Sequence, residues 1–204
     1  MKNDIYTLAH EIRNPLSVVK GYLEMMNEEN ISKYKKIIQN QVDDSLNILN
    51  DYLEYNRINL NKEEIDLNML LMDIKSNMND YLKNKNVHLH IETFDDEIYL
   101  NADYNKLKQV FNNVIKNSIE SNSRNISISY RIMFGKVTIC IKNDGYKIDK
   151  DSIYKIGNYF TNKENGNGIG TSLIKKIISL HRGKIKYHNN YKKGVSVFIT
   201  LSLS

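Results

Sequence analysis

A histidine near the start of the chain is the first residue with a clear capacity for chemistry. His10 is followed directly by the carboxylate of Glu11 and, four positions later, by Asn14. Apolar residues recur around it every three or four positions, which predicts one amphipathic helix over residues 2–27. His10 and Asn14 lie on the same face of that helix, away from the apolar stripe. A solvent-facing imidazole beside a carboxylate is a candidate nucleophile with its base.

Three interpretations of this histidine compete. In the first, His10 is an ordinary surface residue of a dimerising helix. In the second it is a ligand in a zinc peptidase, but that site needs a second histidine four residues on, where the chain has Asn14. In the third, His10 accepts a phosphoryl group, which requires an ATP site elsewhere in the chain. The rest of the sequence must decide between the first and the third.

The composition is that of a globular protein, and we expect no membrane span within it. The chain has 204 residues, of which 41% are hydrophobic and 26% charged, enough for a small module and one domain. No apolar run approaches the roughly 20 residues of a membrane span, and the first residues are too polar for a signal peptide. The single cysteine, Cys140, excludes an internal disulfide and favours a reducing compartment. We therefore expect a cytoplasmic protein, with Cys140 buried in an apolar strand.

The net charge of +5 is unevenly divided. Residues 1–60 hold 7 Lys and Arg against 9 Asp and Glu (−2), and residues 61–204 hold 22 against 15 (+7). A basic second part is compatible with a polyanionic ligand such as a nucleotide. No arginine-rich tract or aromatic-interleaved basic stripe is present, so the sequence predicts no nucleic-acid partner.

The first 60 residues predict a helical hairpin. A second helix is expected from Ser32, as N-cap, to about Arg57, after a polar turn at residues 27–30. Two such helices bury too little apolar surface to be stable alone, so we expect a homodimer in which two hairpins form a four-helix bundle. A polar link over residues 59–66 places the domain boundary at about residue 60.

The second part, residues 61–204, predicts alternating helices and strands. Asp66 and Asp103 are the expected N-caps of two helices that end near Lys85 and Glu120. Period-two alternation and turn residues predict the strands, and a further helix follows a glycine-rich segment. The predicted strands are 87–92, 98–100, 126–132, 136–142, 184–188 and 195–201, and the last helix is 172–181.

The helix predicted over 103–120 carries two asparagines one turn apart, Asn113 and Asn117. Asparagine is unfavourable inside a helix, so its repetition indicates a functional role for these two residues. Two amide oxygens on one helix face could hold Mg²⁺ and meet phosphate oxygens. Further on, Gly166, Gly168 and Gly170 precede the last helix, a pattern compatible with a phosphate-binding loop but also with a flexible linker.

Taken in order, these motifs resemble the sensor histidine kinases of two-component systems, with the sporulation phosphorelay kinases as the nearest type. The resemblance extends over essentially the whole chain. It rests on five motifs: a phosphoacceptor box at His10–Pro15, an N box at Asn113 and Asn117, a first glycine box at Asn143-Asp144-Gly145, an F box at Tyr159-Phe160-Thr161, and a second glycine box at Gly166–Gly170.

The resemblance implies an α+β protein. A dimerisation hairpin would precede a Bergerat-type ATPase, which is an α/β sandwich that binds ATP with Mg²⁺. By match, His10 is the phosphorylated residue, Glu11 orients and deprotonates it, and Asn14 supports phosphatase activity. Asn113 and Asn117 would meet Mg²⁺ and the phosphates. The other residues implied in nucleotide binding are Glu120, Asn143, Gly145, Ile148, Phe160, Lys163, Gly166, Gly168, Ile169, Gly170 and Thr171.

Three positions depart from the family pattern. Asn143 stands where an aspartate usually accepts a hydrogen bond from the adenine amino group, Lys147 replaces a glycine, and Thr171 replaces a leucine. A side chain at residue 147 also removes a position suited to positive φ. These departures bear on nucleotide affinity rather than on the fold.

The main hypothesis is autophosphorylation of His10 by ATP, followed by transfer to an aspartate of a response-regulator receiver domain. The alternative is a phosphorelay phosphotransferase with a degenerate ATPase-like domain, in which His10 receives its phosphoryl group from a receiver. A third possibility is a non-catalytic dimerisation module.

Overall fold

The first helices form the predicted hairpin, in a computed structural model that describes residues 2–92, 97–153, 156 and 169–204. Helix α1 spans Lys2–Glu24 and continues through Pro15, and α2 spans Ile31–Arg57. The chain divides into two compact units, with one boundary between Ile58 and Asn59; the second unit comprises Asn59–Ile156 and Leu173–Ser204.

Two asparagines close the turn between the helices. The backbone N–H of Asn27 donates to Asn30 Oδ1 (2.8 Å), and Asn30 Nδ2 donates to the carbonyl of Met25 (3.0 Å). The prediction that Ser32 caps α2 was wrong, because the helix begins at Ile31 with Asn30 as N-cap. The side chain of Asn30 makes no capping hydrogen bond, since it is used to fold the turn.

The hairpin buries little apolar surface within one chain. Its core among the described residues is Leu8 and Ile48, with Ile12 and Tyr52 packed against them. Other apolar side chains of both helices are exposed, at Leu16 (46%), Leu46 (52%) and Leu53 (42%), among others. None of the helices in the described ranges combines the length and apolar composition needed to cross a bilayer.

The second unit begins with a strand that the sequence analysis missed. Residues 59–66 were predicted as a polar link, but Glu63–Asp66 form β1, which pairs antiparallel with β3, Tyr99–Ala102. The pairing places Ile65 opposite Leu100, and both are almost fully buried (5% and 1% exposed). This buried cross-strand pair contributes to packing the short ribbon onto the core.

A mixed five-stranded sheet forms the centre of the second unit, in the order β2-β4-β5-β7-β6. Strand β2 is parallel to β4, and the other neighbours are antiparallel. The strands are β2 His88–Ile91, β4 Asn125–Met133, β5 Lys136–Asn143, β6 Lys184–Asn189 and β7 Val195–Ser202. Burial alternates along β4 and β5, so one face enters the core and the other faces solvent. Cys140 lies on the solvent side and is only half-buried, contrary to the prediction.

Helices with buried apolar stripes complete the core. They are α3 Leu67–Asn84, α4 Tyr104–Glu120 and α6 Ile169–Leu180, and a short α5 spans Lys150–Ile153. The buried face of α4 matches the prediction except at its C-terminal end, where Ser118 is buried and Ile119 is only partly so. The mixed sheet with helices confirms the predicted α+β class.

Two aspartates cap the helices as predicted. Asp66 accepts from the N–H of Asn68 (2.7 Å), and Asp103 Oδ1 accepts from that of Lys106 (3.0 Å). Asp103 Oδ2 also accepts a hydrogen bond from the backbone N–H of Asn61 (2.8 Å). Asp103 therefore joins the start of the second unit to the start of α4.

Candidate functional site

The phosphoacceptor candidate lies on an accessible part of α1. His10 and Asn14 are both exposed, one turn apart, as the spacing predicted. Glu11 is partly buried, and burial raises the pKa of its carboxyl group. Its Oε2 has no hydrogen-bond partner within the described residues. A carboxylate of raised pKa takes up a proton more readily, which suits a base beside an imidazole.

Two of the asparagines of α4, Asn113 and Asn117, have side-chain amides without a partner in the described part of the chain. Asn113 and Asn117 are partly buried, one turn apart, and neither amide makes a hydrogen bond to the described part of the chain. Glu120 follows at the exposed end of α4. Among the described residues no three His, Cys, Asp or Glu side chains cluster as a metal site. Amide oxygens are among the ligands that Mg²⁺ accepts, so the chemistry of Asn113 and Asn117 is compatible with such an ion.

Asn143, at the end of β5, has an amide that is already engaged. Its Oδ1 accepts from the backbone N–H groups of Gly145 and Val195 (both 3.1 Å). Its Nδ2 donates to Ser118 Oγ (3.1 Å), which itself donates to the carbonyl of Val114. Two backbone donors fix which end of the amide is oxygen, and they use both of its lone pairs. The oxygen of Asn143 therefore lacks a free position for an adenine amino group.

Asp144 joins the ends of β4 and β5. Its Oδ1 accepts from the backbone N–H groups of Arg124 (2.8 Å) and Asn125 (2.9 Å), and its Oδ2 from the Asn125 side chain (2.9 Å). Lys193 Nζ lies 3.6 Å from Oδ2. Burial alone would raise the pKa of Asp144, but these hydrogen bonds and the nearby Lys193 outweigh it and hold the pKa well below the ordinary range.

Gly145 is required by close packing. A Cβ at this position would lie 2.4 Å from the carbonyl oxygen of Ser121 and 2.6 Å from Ser123 Oγ. The N–H of the next residue, Tyr146, donates to that same carbonyl (2.7 Å). Glycine thus allows the segment after β5 to lie directly against the end of α4, the helix that carries Asn113 and Asn117.

Ile148 and Lys147 are held by the connection between β6 and β7. The side-chain amide of Asn189 pairs with both backbone groups of Ile148, accepting its N–H (2.9 Å) and donating to its carbonyl (2.7 Å). Lys147 Nζ donates to the carbonyl of Tyr191 (2.9 Å). The side chain at residue 147 is thereby directed to a partner outside its own loop.

The remaining predicted residues lie in or next to a segment that the structure leaves undescribed. Phe160, Lys163, Gly166 and Gly168 fall outside the described residues. Ile169, Gly170 and Thr171 form the first turn of α6. A Cβ on Gly170 would meet nothing within 4 Å, so glycine is not sterically required there.

Sequence reasoning missed three residues that shape the candidate nucleotide site: Ser118, Asn189 and Asn190. Asn190 Nδ2 donates to the carbonyl of Asn143 (3.2 Å), and Ser196 Oγ donates to Asn190 Oδ1 (2.8 Å). Ser118 carried one usable signal, a polar residue amid the apolar positions of α4. Consecutive asparagines before a strand are typical of any turn, so Asn189 and Asn190 gave no signal of their function.

Two family models match the chain. Residues 5–61 match the His Kinase A (phospho-acceptor) domain, and residues 102–204 match the histidine kinase-, DNA gyrase B- and HSP90-like ATPase. The second match covers half of the chain. Together with the fold, these matches place the chain in the sensor histidine kinases of two-component systems.

Individual relatives agree with this assignment. Sporulation kinase B of Bacillus subtilis (strain 168) is 32% identical over 96% of this chain and 48% of its own length. Sporulation kinase A of the same strain is 31% identical over 95% of this chain and 33% of its own length. The chain therefore spans half or less of these two relatives.

A solved structure has the same arrangement of elements. The histidine kinase ThkA, crystallised in complex with the response regulator protein TrrA, is 28% identical and superposes with a TM-score of 0.84. The superposition covers 98% of this chain and 61% of that one.

Proposed function

We propose that this chain is the kinase region of a protein-histidine kinase that phosphorylates itself on His10 with Mg-ATP and passes the phosphoryl group to an aspartate of a response-regulator receiver domain. One observation carries the proposal. An exposed imidazole beside a carboxylate of raised pKa lies within the segment matched by a phospho-acceptor model, and a matched ATPase segment follows in the same chain.

Catalysis of this reaction depends mainly on positioning the reactants and stabilising charge. A ring nitrogen of His10 attacks the γ-phosphorus of ATP, the bond from that phosphorus to the bridging oxygen breaks, and ADP leaves. As the nitrogen–phosphorus bond forms, the imidazole becomes cationic and Glu11 accepts its proton. The raised pKa of Glu11 supports this role, because a base should have a pKa near the working pH. Asn14, exposed one turn beyond His10, is proposed to position water for dephosphorylation.

The nucleotide is proposed to bind in the second unit between α4 and the segment after β5. Asn113 and Asn117 would hold Mg²⁺, which when bound neutralises phosphate charge. Their free amides support this assignment. The other proposed residues of the nucleotide site are Glu120, Asn143, Gly145, Ile148, Phe160, Lys163, Gly166, Gly168, Ile169, Gly170 and Thr171. Asn143 is proposed to border the adenine rather than to accept from its amino group, because its oxygen is already engaged.

Dimerisation is proposed for the hairpin, with residues 1–60 as the dimerisation and phosphotransfer domain and 61–204 as the catalytic domain. Exposed apolar side chains at Leu16, Leu46 and Leu53 support a second copy as the partner, because each hairpin leaves them without a core. Two hairpins would form the four-helix bundle.

A receiver domain is the proposed acceptor, and the cytoplasm, where ATP is available, is the proposed compartment. A shallow groove of about 440 Å³ on α1 starts at Ala9, the residue before His10 in the sequence, and contains two cations, Arg13 and Lys20. Their charge would complement an acidic receiver active site. ThkA, the structural relative, was crystallised with a response regulator.

Labelling with γ-phosphate-labelled ATP tests the function. The chain should become labelled with acid-labile phosphate, and His10→Gln should abolish the label. His88→Gln is the matched control, since His88 is also an exposed histidine but lies on β2 of the second unit. Undiminished label on the His10 variant would refute the assignment.

The occupied oxygen of Asn143 favours a second candidate function, a phosphotransferase whose ATPase-like domain no longer binds ATP. In that case His10 would receive its phosphoryl group from a phosphorylated receiver. Calorimetric titration separates the two functions: no heat of binding at millimolar Mg-ATP, together with transfer from a phosphorylated receiver, would favour the phosphotransferase.

A further inference from the structure

The turn between β6 and β7 is bonded to the loop that follows β5. We call residues 189–195 the brace and residues 143–148 the base loop. Gly194 makes the close approach possible: its φ is +82°, and a Cβ there would lie 1.9 Å from the carbonyl oxygen of Asn143. The N–H of Asn190 donates to the carbonyl of Gly194 (2.9 Å), which closes the brace on itself.

Hydrogen bonds from the brace reach both ends of the base loop. At the start of the loop, Asn143 receives the N–H of Val195 on its side chain and the Asn190 side chain on its carbonyl. At the far end, Asn189 bonds both backbone groups of Ile148. The base loop is therefore held at its first and last residues by the same short segment.

The bond to Ile148 differs from the others in its geometry. A side-chain amide that accepts an N–H and donates to the carbonyl of one residue imitates the pairing of a neighbouring strand, and it fixes the position and orientation of that backbone together. Asn189 is itself the last residue of β6, paired with Val195, so it is attached to a rigid element. The short helix α5 follows two residues after Ile148.

We propose that Asn189 is a positioning residue for nucleotide binding, which holds Ile148 and the base loop in the binding conformation without contacting the nucleotide. The proposal rests on the proposed ATP site. Without the amide of Asn189, the end of the loop loses both of its backbone bonds to β6 and samples other positions. Only the fraction of molecules whose loop is in the binding conformation can then bind the nucleotide, so the apparent affinity falls in proportion to that fraction.

Asn189→Leu tests this in the intact chain, because leucine keeps the volume and removes both hydrogen bonds. We expect the Kd for Mg-ATP to rise about tenfold, the loss that two ordinary hydrogen bonds produce, while the rate of His10 labelling at saturating ATP changes less than about twofold. Hydrogen exchange of the Ile148 amide should accelerate. His188→Ala is the matched control, since His188 precedes Asn189 on β6 and is exposed on the opposite face.

Asn189→Asp gives a readout that a merely structural role would not produce. An ionised carboxylate repels the carbonyl of Ile148, whereas a protonated one has the same donor and acceptor as the amide. The ratio of the variant's Kd to the wild-type Kd should therefore fall as the pH is lowered from about 7.5 to about 5, towards the carboxyl pKa range. The wild-type Kd at each pH corrects for the titration of ATP itself.

Two results would overturn the proposal: an unchanged Kd in Asn189→Leu despite faster exchange at Ile148, or a pH-independent ratio in Asn189→Asp. A wild-type chain that binds no Mg-ATP would refute the proposed function instead. In that case the Ile148 exchange rate still reports whether Asn189 holds the loop, and an unchanged rate in Asn189→Leu would refute the positioning as well.

Discussion

His181 Nε2 accepts a hydrogen bond from the backbone N–H of Asp103 (2.9 Å), which joins the end of α6 to the start of α4. Because Nε2 is an acceptor, the ring proton lies on Nδ1, which donates to the carbonyl of Ile177 (2.8 Å). His181 is only 7% exposed, and burial lowers its pKa below the ordinary value of 6.5. The folded protein thus contains a neutral imidazole that uses both nitrogens.

We expect this histidine to make stability depend on pH. A histidine whose pKa is lowered by folding contributes fully above its unfolded value of about 6.5, and the contribution is lost as the pH falls through that value towards the folded pKa. Urea unfolding of the wild type should give a smaller free energy of unfolding at pH 5.5 than at pH 7.5. His181→Gln, which retains an acceptor but does not titrate, should show less of this decrease. Parallel pH dependence in the two proteins would contradict the prediction.

Gly145→Ala should damage the segment after β5. The new Cβ would meet the carbonyl oxygen of Ser121, which is backbone and cannot rotate away, so we expect a loss of about 1–3 kcal/mol of unfolding free energy and weaker Mg-ATP binding. Gly21→Ala is the matched control. Gly21 lies within α1 with no atom near its missing Cβ, so alanine there should be neutral or stabilise by up to about 1 kcal/mol. Equal effects at the two positions would rule out the steric explanation.

Asn143→Asp should strengthen and sharpen nucleotide recognition. One carboxylate oxygen can keep accepting the hydrogen bonds from the N–H groups of Gly145 and Val195. The hydroxyl group of Ser118 can rotate to donate to the other oxygen. That second oxygen has a further lone pair for an adenine amino group. Competitive titration with Mg-ATP and Mg-GTP should show a higher affinity for ATP and a larger preference over GTP than in the wild type. No change in either quantity would place the base away from Asn143.

Charge introduced on the exposed apolar face of α2 should separate the proposed dimer. Leu46→Glu with Leu53→Glu places carboxylates where a second hairpin would pack, so sedimentation should show a shift from dimer to monomer. Lys35→Glu, an exposed substitution on the same helix, should leave the oligomeric state unchanged. A wild-type chain that sediments as a monomer would contradict the proposed bundle.

Periodicity and turn chemistry were sufficient for the elements built from local signals. The two helix caps, Asp66 and Asp103, follow from an acidic residue before an apolar-periodic stretch. The strands predicted over 126–132 and 136–142 are joined by a tight turn at Phe134-Gly135, where both residues have positive φ (52° and 66°). Strand β1 could not be predicted, because its one buried residue, Ile65, is flanked by acids and depends on a distant partner, Leu100.

Candidate site residues could be predicted from the sequence only where the residue type is unusual for its position. Asparagines inside a helix are conspicuous, so Asn113 and Asn117 stood out. Asn189 is an ordinary polar residue at a strand end, and its contact with Ile148 exists only in three dimensions. The same holds for Asn143, whose identity was evident but whose saturated hydrogen bonding depends on Val195 at the start of another strand.

The brace is built mainly from uncharged amides. Between Asn189 and Ile148, and between Asn190 and Asn143, no bond involves an ionised side chain. Salt screens interactions between exposed charges but acts little on short neutral hydrogen bonds. These amide hydrogen bonds should therefore persist through changes in ionic strength, whereas the exposed ion pair of Lys193 with Asp144 should weaken as salt rises.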